Sequence, residues 1–271
     1  MSSGGDGAVT GPAVRFEHDG AIGTITLDRP DNRNSMTAEL LDGFTAALAA
    51  ARAVASLRCL IITGTGACFS AGADFKGAVQ RGDGERPLAP HERSLAMYQP
   101  FLAVLDVEVP VIGALNGHAV GGGFGLALCC DLRIGAREGR YGANFARLGL
   151  HPGMAITHLL PRLVGVAAAA DLLLTGRLVD GVEAARIGLL GEVVAAAEVG
   201  ARARATAELI AANAPGPVRT IKRALGRGLA AGARDAALAE AFAQAESLAT
   251  ADAAEGIAAL LGKRPPVFTG R

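Results

Sequence analysis

A glycine-rich turn, Gly121-Gly122-Gly123, is the stretch of the sequence that points most directly to chemistry. It follows an apolar segment at residues 109–115 and precedes another at 126–130, which predicts a strand, a turn and the start of a helix. Glycines let a backbone approach a ligand closely, and the first N–H groups of a helix have no internal acceptor. The turn therefore predicts a site that binds developing negative charge.

Another glycine turn, Phe69-Ser-Ala-Gly-Ala-Asp74, lies earlier in the chain, after the predicted buried strand at residues 58–63. It is called the first turn below, and Gly121-Gly122-Gly123 the second. Loops at the carboxyl ends of parallel strands converge on ligand sites. One N–H group from each turn directed at the same carbonyl oxygen would form an oxyanion hole. At this point the alternative, that both are ordinary tight turns, stays open.

Other common sites fit the sequence less well. The dinucleotide fingerprint needs glycines at i, i+2 and i+5, and no turn here has that spacing. The sequence also lacks the motif of a nucleotide-binding P-loop. Ser70 resembles a hydrolase nucleophile but lacks the first glycine of that motif, and we expect a loop, not a strand, directly before it. No His/Cys cluster suggests zinc, so no metal is predicted.

The composition excludes several partner classes. The 271 residues carry 26 basic and 26 acidic side chains, so no net field favours nucleic acid or an anionic membrane. We expect no membrane span, because charge, proline or glycine interrupts the apolar runs. We read Cys59, Cys68, Cys129 and Cys130 as reduced, buried thiols of a cytoplasmic protein.

The predicted elements divide the chain into two parts. Strands at residues 14–16 and 22–27 form a hairpin, a helix covers 37–55, and strands then alternate with helices up to residue 135, as in parallel α/β proteins. Beyond it, helices dominate: 157–164, 167–175, 181–187, 200–213, 218–231, 234–250 and 253–261.

Three ordered segments carry a resemblance to a known family. The Phe69–Asp74 turn, Asn116-Gly-His-Ala-Val-Gly-Gly-Gly123 and Cys130-Asp-Leu-Arg133 together resemble the crotonase (enoyl-CoA hydratase/isomerase) superfamily. The likeness covers about 240 residues, and it includes the segments that begin at Leu27 and Leu174 and the ending Lys263-Arg-Pro-Pro-Val-Phe268.

The resemblance implies a fold, a ligand and an assembly. The fold is an α/β, crotonase-like spiral of ββα repeats. Residues 1–12 would be a disordered leader, 13–200 the core and 201–271 a C-terminal helical trimerisation region. The substrate is an acyl-CoA thioester with no separate cofactor, and the assembly is a homotrimer or a hexamer. By motif position, the oxyanion donors are the N–H groups of Ala73 and Gly122.

The resemblance also places residues around the CoA thioester. Lys76 and Arg33 would serve CoA phosphates or be solvated surface charges, and Phe268 would cover the nucleotide or simply pack. The binding residues implied by motif position are Ala71, Ala73, Asp74, Phe75, Lys76, Gly121, Gly122, Phe145, Lys263 and Phe268.

The sequence departs from the family at the acid–base pair. Hydratases of this family use two glutamates, and the matching positions here are Gly125 and Phe145; an aspartate of related isomerases falls at Gly153. Neither glycine nor phenylalanine transfers protons, so we expect weak hydration. His151 is the substitute acid or base to test, against a loop histidine bonded to backbone. Further candidates are His91, Glu92, His118, Tyr98, Tyr141 and Asn144, each with a packing role as its alternative.

The sequence thus predicts an enzyme of enoyl-CoA hydratase/isomerase type, a lyase or isomerase, that polarises a thioester carbonyl with two N–H groups. Two alternatives stay open: a non-catalytic acyl-CoA binding or carrier protein, and another enolate-type acyl-CoA reaction.

Overall fold

A computed structural model describes residues 11–74 and 88–271 of the chain. Phe75 and Lys76, two of the predicted binding residues, lie outside the described residues. Within the described ranges the strands form two sheets. The strands are β1 (Val14–Asp19), β2 (Ile22–Leu27), β3 (Cys59–Gly64), β4 (Cys68–Ser70), β5 (Val111–Leu115), β6 (His118–Val120), β7 (Leu132–Ala136), β8 (Arg140–Gly142), β9 (Val179–Asp180) and β10 (Glu192–Val194).

From β3 to β8, successive strands alternate between the two sheets. The larger sheet has the order β1-β2-β3-β5-β7-β10, and the smaller has β4-β6-β8-β9. Thus β3, β5 and β7 enter the larger sheet, and β4, β6 and β8, which follow them, enter the smaller one. The ladders from β2 through β10 in the larger sheet are parallel, while β1 pairs with β2 as an antiparallel hairpin. The chain therefore winds as a spiral of repeats.

Helices cover the sheets and form the C-terminal part of the chain. The first, α1, is capped by Thr37, whose side chain accepts the N–H of Leu40, and it buries the predicted stripe Leu40, Phe44 and Leu48. The helices are α1 (Ala38–Ala53), α2 (Pro90–Leu102), α3 (Gly122–Cys129), α4 (Ile156–Thr175), α5 (Gly181–Arg186), α6 (Val199–Ala211), α7 (Pro215–Leu225), α8 (Leu229–Leu248) and α9 (Ala251–Leu261).

Helix α4 is, by length and composition alone, apolar enough to cross a membrane. Its backbone argues against one continuous span, because Gly165 has φ 78° and ψ 159° and divides it into two segments. Each segment has about half of the ~20 residues that a bilayer requires. The two helices predicted at 157–164 and 167–175 correspond to these segments. A single helix of this kind is weak support for a membrane protein.

Two predictions about local structure were wrong. The loops predicted after the strands at 58–63 and 109–115 each contain a short strand, β4 and β6, which pair in parallel with each other. The helix predicted at 218–231 ends at Leu225, and Gly228, at φ 74°, begins the next one. Both errors fall in glycine-rich segments. Three-residue strands have no periodicity to detect, and the helix is interrupted where Gly226 and Gly228 follow Leu225.

The core packs on both faces of the larger sheet. One face carries Ile61, Ile112 and Ile134 against Val199 and Ala203 of α6, and the other holds the main apolar cluster. All four cysteines are buried free thiols, as predicted. Burial raises the pKa of the Cys59 thiol to about 12, so this thiol stays protonated near neutral pH.

Candidate functional site

The two glycine turns lie in direct contact. Gly72 has φ +82°, and a methyl group in place of its hydrogen would lie 2.8 Å from Gly122 N and 2.7 Å from the Val120 carbonyl oxygen. Met36 packs against the same place: its N–H bonds the Gly72 carbonyl at 2.8 Å, and a side chain at Gly122 would overlap its sulfur. Only glycine at positions 72 and 122 permits this approach.

Two main-chain N–H groups lie beside this contact without a hydrogen-bond acceptor among the described residues. Within residues 11–74 and 88–271, the N–H groups of Ala73 and Gly122 have no acceptor. Their neighbours are bonded: Ala71 N donates to Arg33 O at 3.0 Å, Gly72 N to Ser70 Oγ at 3.3 Å, and Gly121 N to Gly142 O at 3.0 Å. Gly122 is also the first residue of α3, where an N–H group has no intrahelical partner.

Asn34 is a buried residue that holds the first turn in place. It is 0% exposed, lies at φ 53°, accepts the Arg29 N–H at 2.8 Å and donates to Thr65 O and Cys68 O at 3.0 and 2.9 Å. Asn116, just before β6, bonds the end of β3 and the connection that follows it, accepting from Gly64 N at 3.1 Å and donating to Gly66 O at 2.9 Å. Sequence reasoning gave these asparagines no structural role, because a polar turn does not reveal its distant partners.

Met154 and Phe145 place apolar atoms beside Gly125 and Gly121. A methyl group at Gly125 would lie 2.5 Å from Met154 Cβ, and one at Gly121 would lie 3.8 Å from Phe145 Cζ. Met154 is 1% exposed and Phe145 is 8% exposed. Met154 therefore fills the space into which a side chain at position 125 would extend. The sequence analysis did not identify Met154.

Ser70 is reached directly by a strand, contrary to the sequence-based expectation. It is the last residue of β4, so the argument that a loop separates it from a strand was wrong. Its hydroxyl is nevertheless 0% exposed, donates to Asn34 O at 2.8 Å and accepts the Gly72 N–H. These bonds give Ser70 a structural role in the first turn.

His151 lies at the start of a segment, residues 151–157, that three side chains on one face of α8 bind. His151 N donates to Ser247 Oγ at 3.1 Å, Gln244 Nε2 donates to His151 O at 3.2 Å, and Glu240 accepts from Thr157 N at 2.8 Å. The His151 ring nitrogen Nδ1 lies 2.7 Å from the Pro152 carbonyl oxygen. The histidine is thus half-buried and bonded to backbone.

Glu240 and Tyr98 are buried titratable groups in this network. Tyr98 Oη donates to Gln244 Oε1, and any side chain at Gly153 would overlap the Tyr98 ring. Desolvation raises the pKa of both Tyr98 and Glu240. Glu240 is 2% exposed, and its Oε2 atom has no partner within the described part of the chain. The Tyr98 phenol is therefore a neutral hydrogen-bond donor.

Other candidate side chains have local partners. His118 Nδ1 accepts the Arg140 N–H at 3.0 Å, and Tyr141 Oη donates to Ala136 O at 2.7 Å. The His91 ring stacks on Phe242 at 4.1 Å, while Glu92 accepts the Ala89 N–H at the start of α2. Each of these four residues therefore makes a local structural contact.

The C-terminal tail folds back along α9. Asp252 accepts the N–H groups of Thr269 and Gly270, and Glu255 pairs with Arg264. Lys263 and Phe268 lie on this tail, and both are exposed. Ala71 and Asp74 lie beside Ala73 in the first turn and are half-buried. In residues 11–74 and 88–271, no three His, Cys, Asp or Glu side chains are grouped to hold a metal ion.

Comparisons with known proteins agree with this architecture. The family model described as enoyl-CoA hydratase/isomerase matches residues 17–271. A putative enoyl-CoA hydratase of Thermus thermophilus is 37% identical over 256 residues, covering 92% of this chain and 98% of that protein. A crystal structure of carnitinyl-CoA hydratase from Mycobacterium avium has a TM-score of 0.84 at 34% identity, covering 97% of this chain and 100% of that one.

A crystal structure of enoyl-CoA hydratase/isomerase from Pseudoalteromonas atlantica T6c also has a TM-score of 0.84, at 29% identity and 95% coverage of this chain. The predicted crotonase-like fold is thereby confirmed. The family match over nearly the whole chain, with the spiral of repeats and the two adjoining glycine turns, shows that this protein is a member of the enoyl-CoA hydratase/isomerase family of enzymes, in the crotonase superfamily.

Proposed function

We propose that this enzyme binds an acyl-CoA and polarises its thioester carbonyl with the N–H groups of Ala73 and Gly122. The contact between Gly72 and Gly122 carries the proposal, because it brings two N–H groups without acceptors in the described chain to adjoining turns. Both donors belong to the main chain and are held by neighbouring bonds, so little reorganisation is needed when the carbonyl oxygen gains charge.

Polarisation lets the thioester carbonyl accept the electron pair that develops at the α-carbon, which is the basis of enolate chemistry. That pair arises when an α-proton is removed or when a nucleophile adds at the β-carbon of an unsaturated acyl group. Removing one such donor typically costs about a hundred- to a thousand-fold in rate. The names of relatives, enoyl-CoA hydratase and carnitinyl-CoA hydratase, indicate the same class of thioester substrate.

We further propose that two-glutamate hydration is weak in this protein. Gly125 and Phe145 supply no carboxylate, and Met154 occupies the space beside Gly125. A positioned base or acid is worth about a hundred- to ten-thousand-fold, so losing both leaves little hydratase activity. Isomerisation or C–C cleavage through an enolate then becomes the expected type of reaction, with His151 as the acid or base to test.

Three further assignments come from the family resemblance and complete the proposal. CoA is bound by Ala71 and Asp74 of the first glycine turn, by Phe75 and Lys76, which follow it in the sequence, and by Lys263 and Phe268 of the tail. The protein assembles as a homotrimer or a dimer of trimers and works in the cytoplasm without an additional cofactor.

The variant Gly72→Ala tests the thioester site. Its methyl group would lie 2.8 Å from Gly122 N and would require φ +82°, so it separates the two turns. We expect the carbonyl stretch of bound butyryl-CoA, carbon-13 labelled at C1 and recorded by difference infrared spectroscopy, to shift to lower frequency in the wild type and not in the variant. Turnover of any acyl-CoA substrate should fall at least about a hundred-fold.

Gly20→Ala is the matched control, since Gly20 has φ +59° in a remote hairpin with nothing within 4 Å of a methyl group. It should lose some stability and keep the infrared shift. A wild-type spectrum without any shift, or an equal shift in Gly72→Ala, contradicts the thioester site. Crotonyl-CoA hydration at the rate of an ordinary hydratase contradicts the proposed loss of the acid–base pair.

A further inference from the structure

Met154 packs against α3 at Gly125, which has no side chain. Gly125 lies three residues after Gly122 on α3, so both face the same side of that helix. A methyl group at Gly125 would lie 2.5 Å from Met154 Cβ, 3.0 Å from Cγ and 3.3 Å from Cε. The methionine thus covers the whole length of the space in front of Gly125.

The backbone that presents Met154 is held in an unusual conformation. Met154 and Ala155 have φ +66° and +56°, in the left-handed region that favours glycine. Such a conformation persists only where the surroundings impose it. The direction of the Met154 side chain is therefore a consequence of its neighbours.

Helix α8 imposes that conformation through the side chains already described. Glu240 binds Thr157 on the C-terminal side of Met154, while Gln244 and Ser247 bind His151 on the N-terminal side. Glu240, Gln244 and Ser247 are spaced at i, i+4 and i+7, on one face of the helix. The segment is anchored at both ends, and Met154 lies between the anchors.

The distance between Gly122 and Gly125 determines which part of a bound acyl chain Met154 would contact. Gly125 is about one helical turn, ~5 Å, beyond Gly122. With the carbonyl oxygen on the N–H of Gly122, an acyl chain that follows α3 reaches Met154 after a few carbons. Phe145, beside Gly121, forms the adjoining apolar wall.

We propose that Met154 is a specificity-determining residue that closes the acyl end of the site and restricts the enzyme to short acyl chains. The inference rests on the proposed function, because it takes the thioester to be bound by Ala73 and Gly122. It assigns the substrate class as acyl-CoA with an acyl group of about four carbons.

Calorimetric binding of butyryl-CoA, octanoyl-CoA and free CoA to the full chain tests this assignment. Wild type should bind butyryl-CoA more tightly than octanoyl-CoA. Met154→Ala removes three heavy atoms, and each methylene that becomes buried tightens binding about fourfold. Octanoyl-CoA should therefore bind the variant about 15- to 60-fold more tightly than it binds wild type, with free CoA unchanged.

Two further variants separate the pocket from general destabilisation. Met154→Gly suits φ +66° and should show the same gain, which keeps the test valid if the alanine variant unfolds. Met97→Ala, the same truncation at a half-buried site on α2, should leave the chain-length preference unchanged. A wild type that binds none of the acyl-CoAs overturns the proposed function. A wild type that binds them, with the same preference in both Met154 variants, overturns only the role of Met154.

Discussion

Gly72 and Gly125 illustrate two different uses of a missing side chain. At Gly72 the absence lets two backbone segments meet, with Gly122 N only 2.8 Å from where a methyl group would be. At Gly125 the absence leaves room for another residue, Met154. Sequence alone places both in glycine-rich segments and does not show what each missing side chain makes room for, because this depends on what approaches from a distant part of the chain.

Asn34 is the residue whose loss should most disturb the first turn. Asn34→Ala leaves the Arg29 N–H and the carbonyls of Thr65 and Cys68 without their partner in a buried place, and it puts alanine at φ 53°. We expect a loss of about 2–4 kcal/mol in the free energy of unfolding, measured by chemical denaturation.

Asn213→Ala provides the control for Asn34→Ala, because the Asn213 side chain lies on an exposed helix end and, within residues 11–74 and 88–271, bonds only the Leu209 carbonyl. It should change stability by less than about 0.5 kcal/mol. Equal effects of the two substitutions would show that Asn34 does not hold the turn.

At the scale of elements, α8 is more than a cover for the core. Its Glu240, Gln244 and Ser247 side chains bind the two ends of the segment around Met154. The two glycine turns were identified from sequence because glycine itself is a strong local signal. The sequence analysis did not identify Glu240, Gln244 and Ser247, because glutamate, glutamine and serine are ordinary on a helix surface. Only tertiary contact shows that this face of α8 is buried.

The buried Glu240 predicts a pH dependence of stability. Desolvation raises its pKa above the ordinary 4.5, and the nearby His151 opposes this shift when charged. A carboxyl whose pKa is raised in the folded protein holds its proton more tightly there than in the unfolded chain. Its contribution to stability is therefore greatest below pH 4.5 and declines as pH rises through the raised value.

Glu240→Gln should remove that decline. The free energy of unfolding of the variant, relative to wild type, should rise between pH 4.5 and neutrality, as measured by denaturant titrations at several pH values. Glu246→Gln, at an exposed position of the same helix, is the control. A difference between wild type and Glu240→Gln that is constant with pH would show that Glu240 does not titrate in this range.

At the scale of the whole molecule, large apolar side chains remain exposed on the single chain. Leu225 and Leu174 are 83% and 81% exposed, and Ile221, one helical turn before Leu225, is 58% exposed. Exposed apolar residues that lie together, as Ile221 and Leu225 do on one helix, commonly mark an interface between proteins. They agree with the proposed trimer.

Light scattering on the purified protein should therefore give a mass of three or six chains of 27.3 kDa. Leu225→Asp places a charge on the exposed apolar face of α7 and should reduce the mass toward one chain, whereas Leu225→Met, which keeps the face apolar, should not. A monomeric wild type at micromolar concentration would contradict the proposed assembly.

The sequence by itself determined the two glycine turns and the alternation of strands and helices, because glycine patterns and alternating apolar segments are local and depend little on distant partners. The family and its spiral fold followed from the resemblance of several ordered motifs. By that resemblance, we expect the positions of the two hydratase glutamates to be Gly125 and Phe145. Tertiary structure decided what replaces them: Met154 fills the space at Gly125, and α8 holds it there. The short strands β4 and β6 and the burial of Glu240 were likewise beyond sequence, since each exists only because a remote segment pairs with it or excludes water from it.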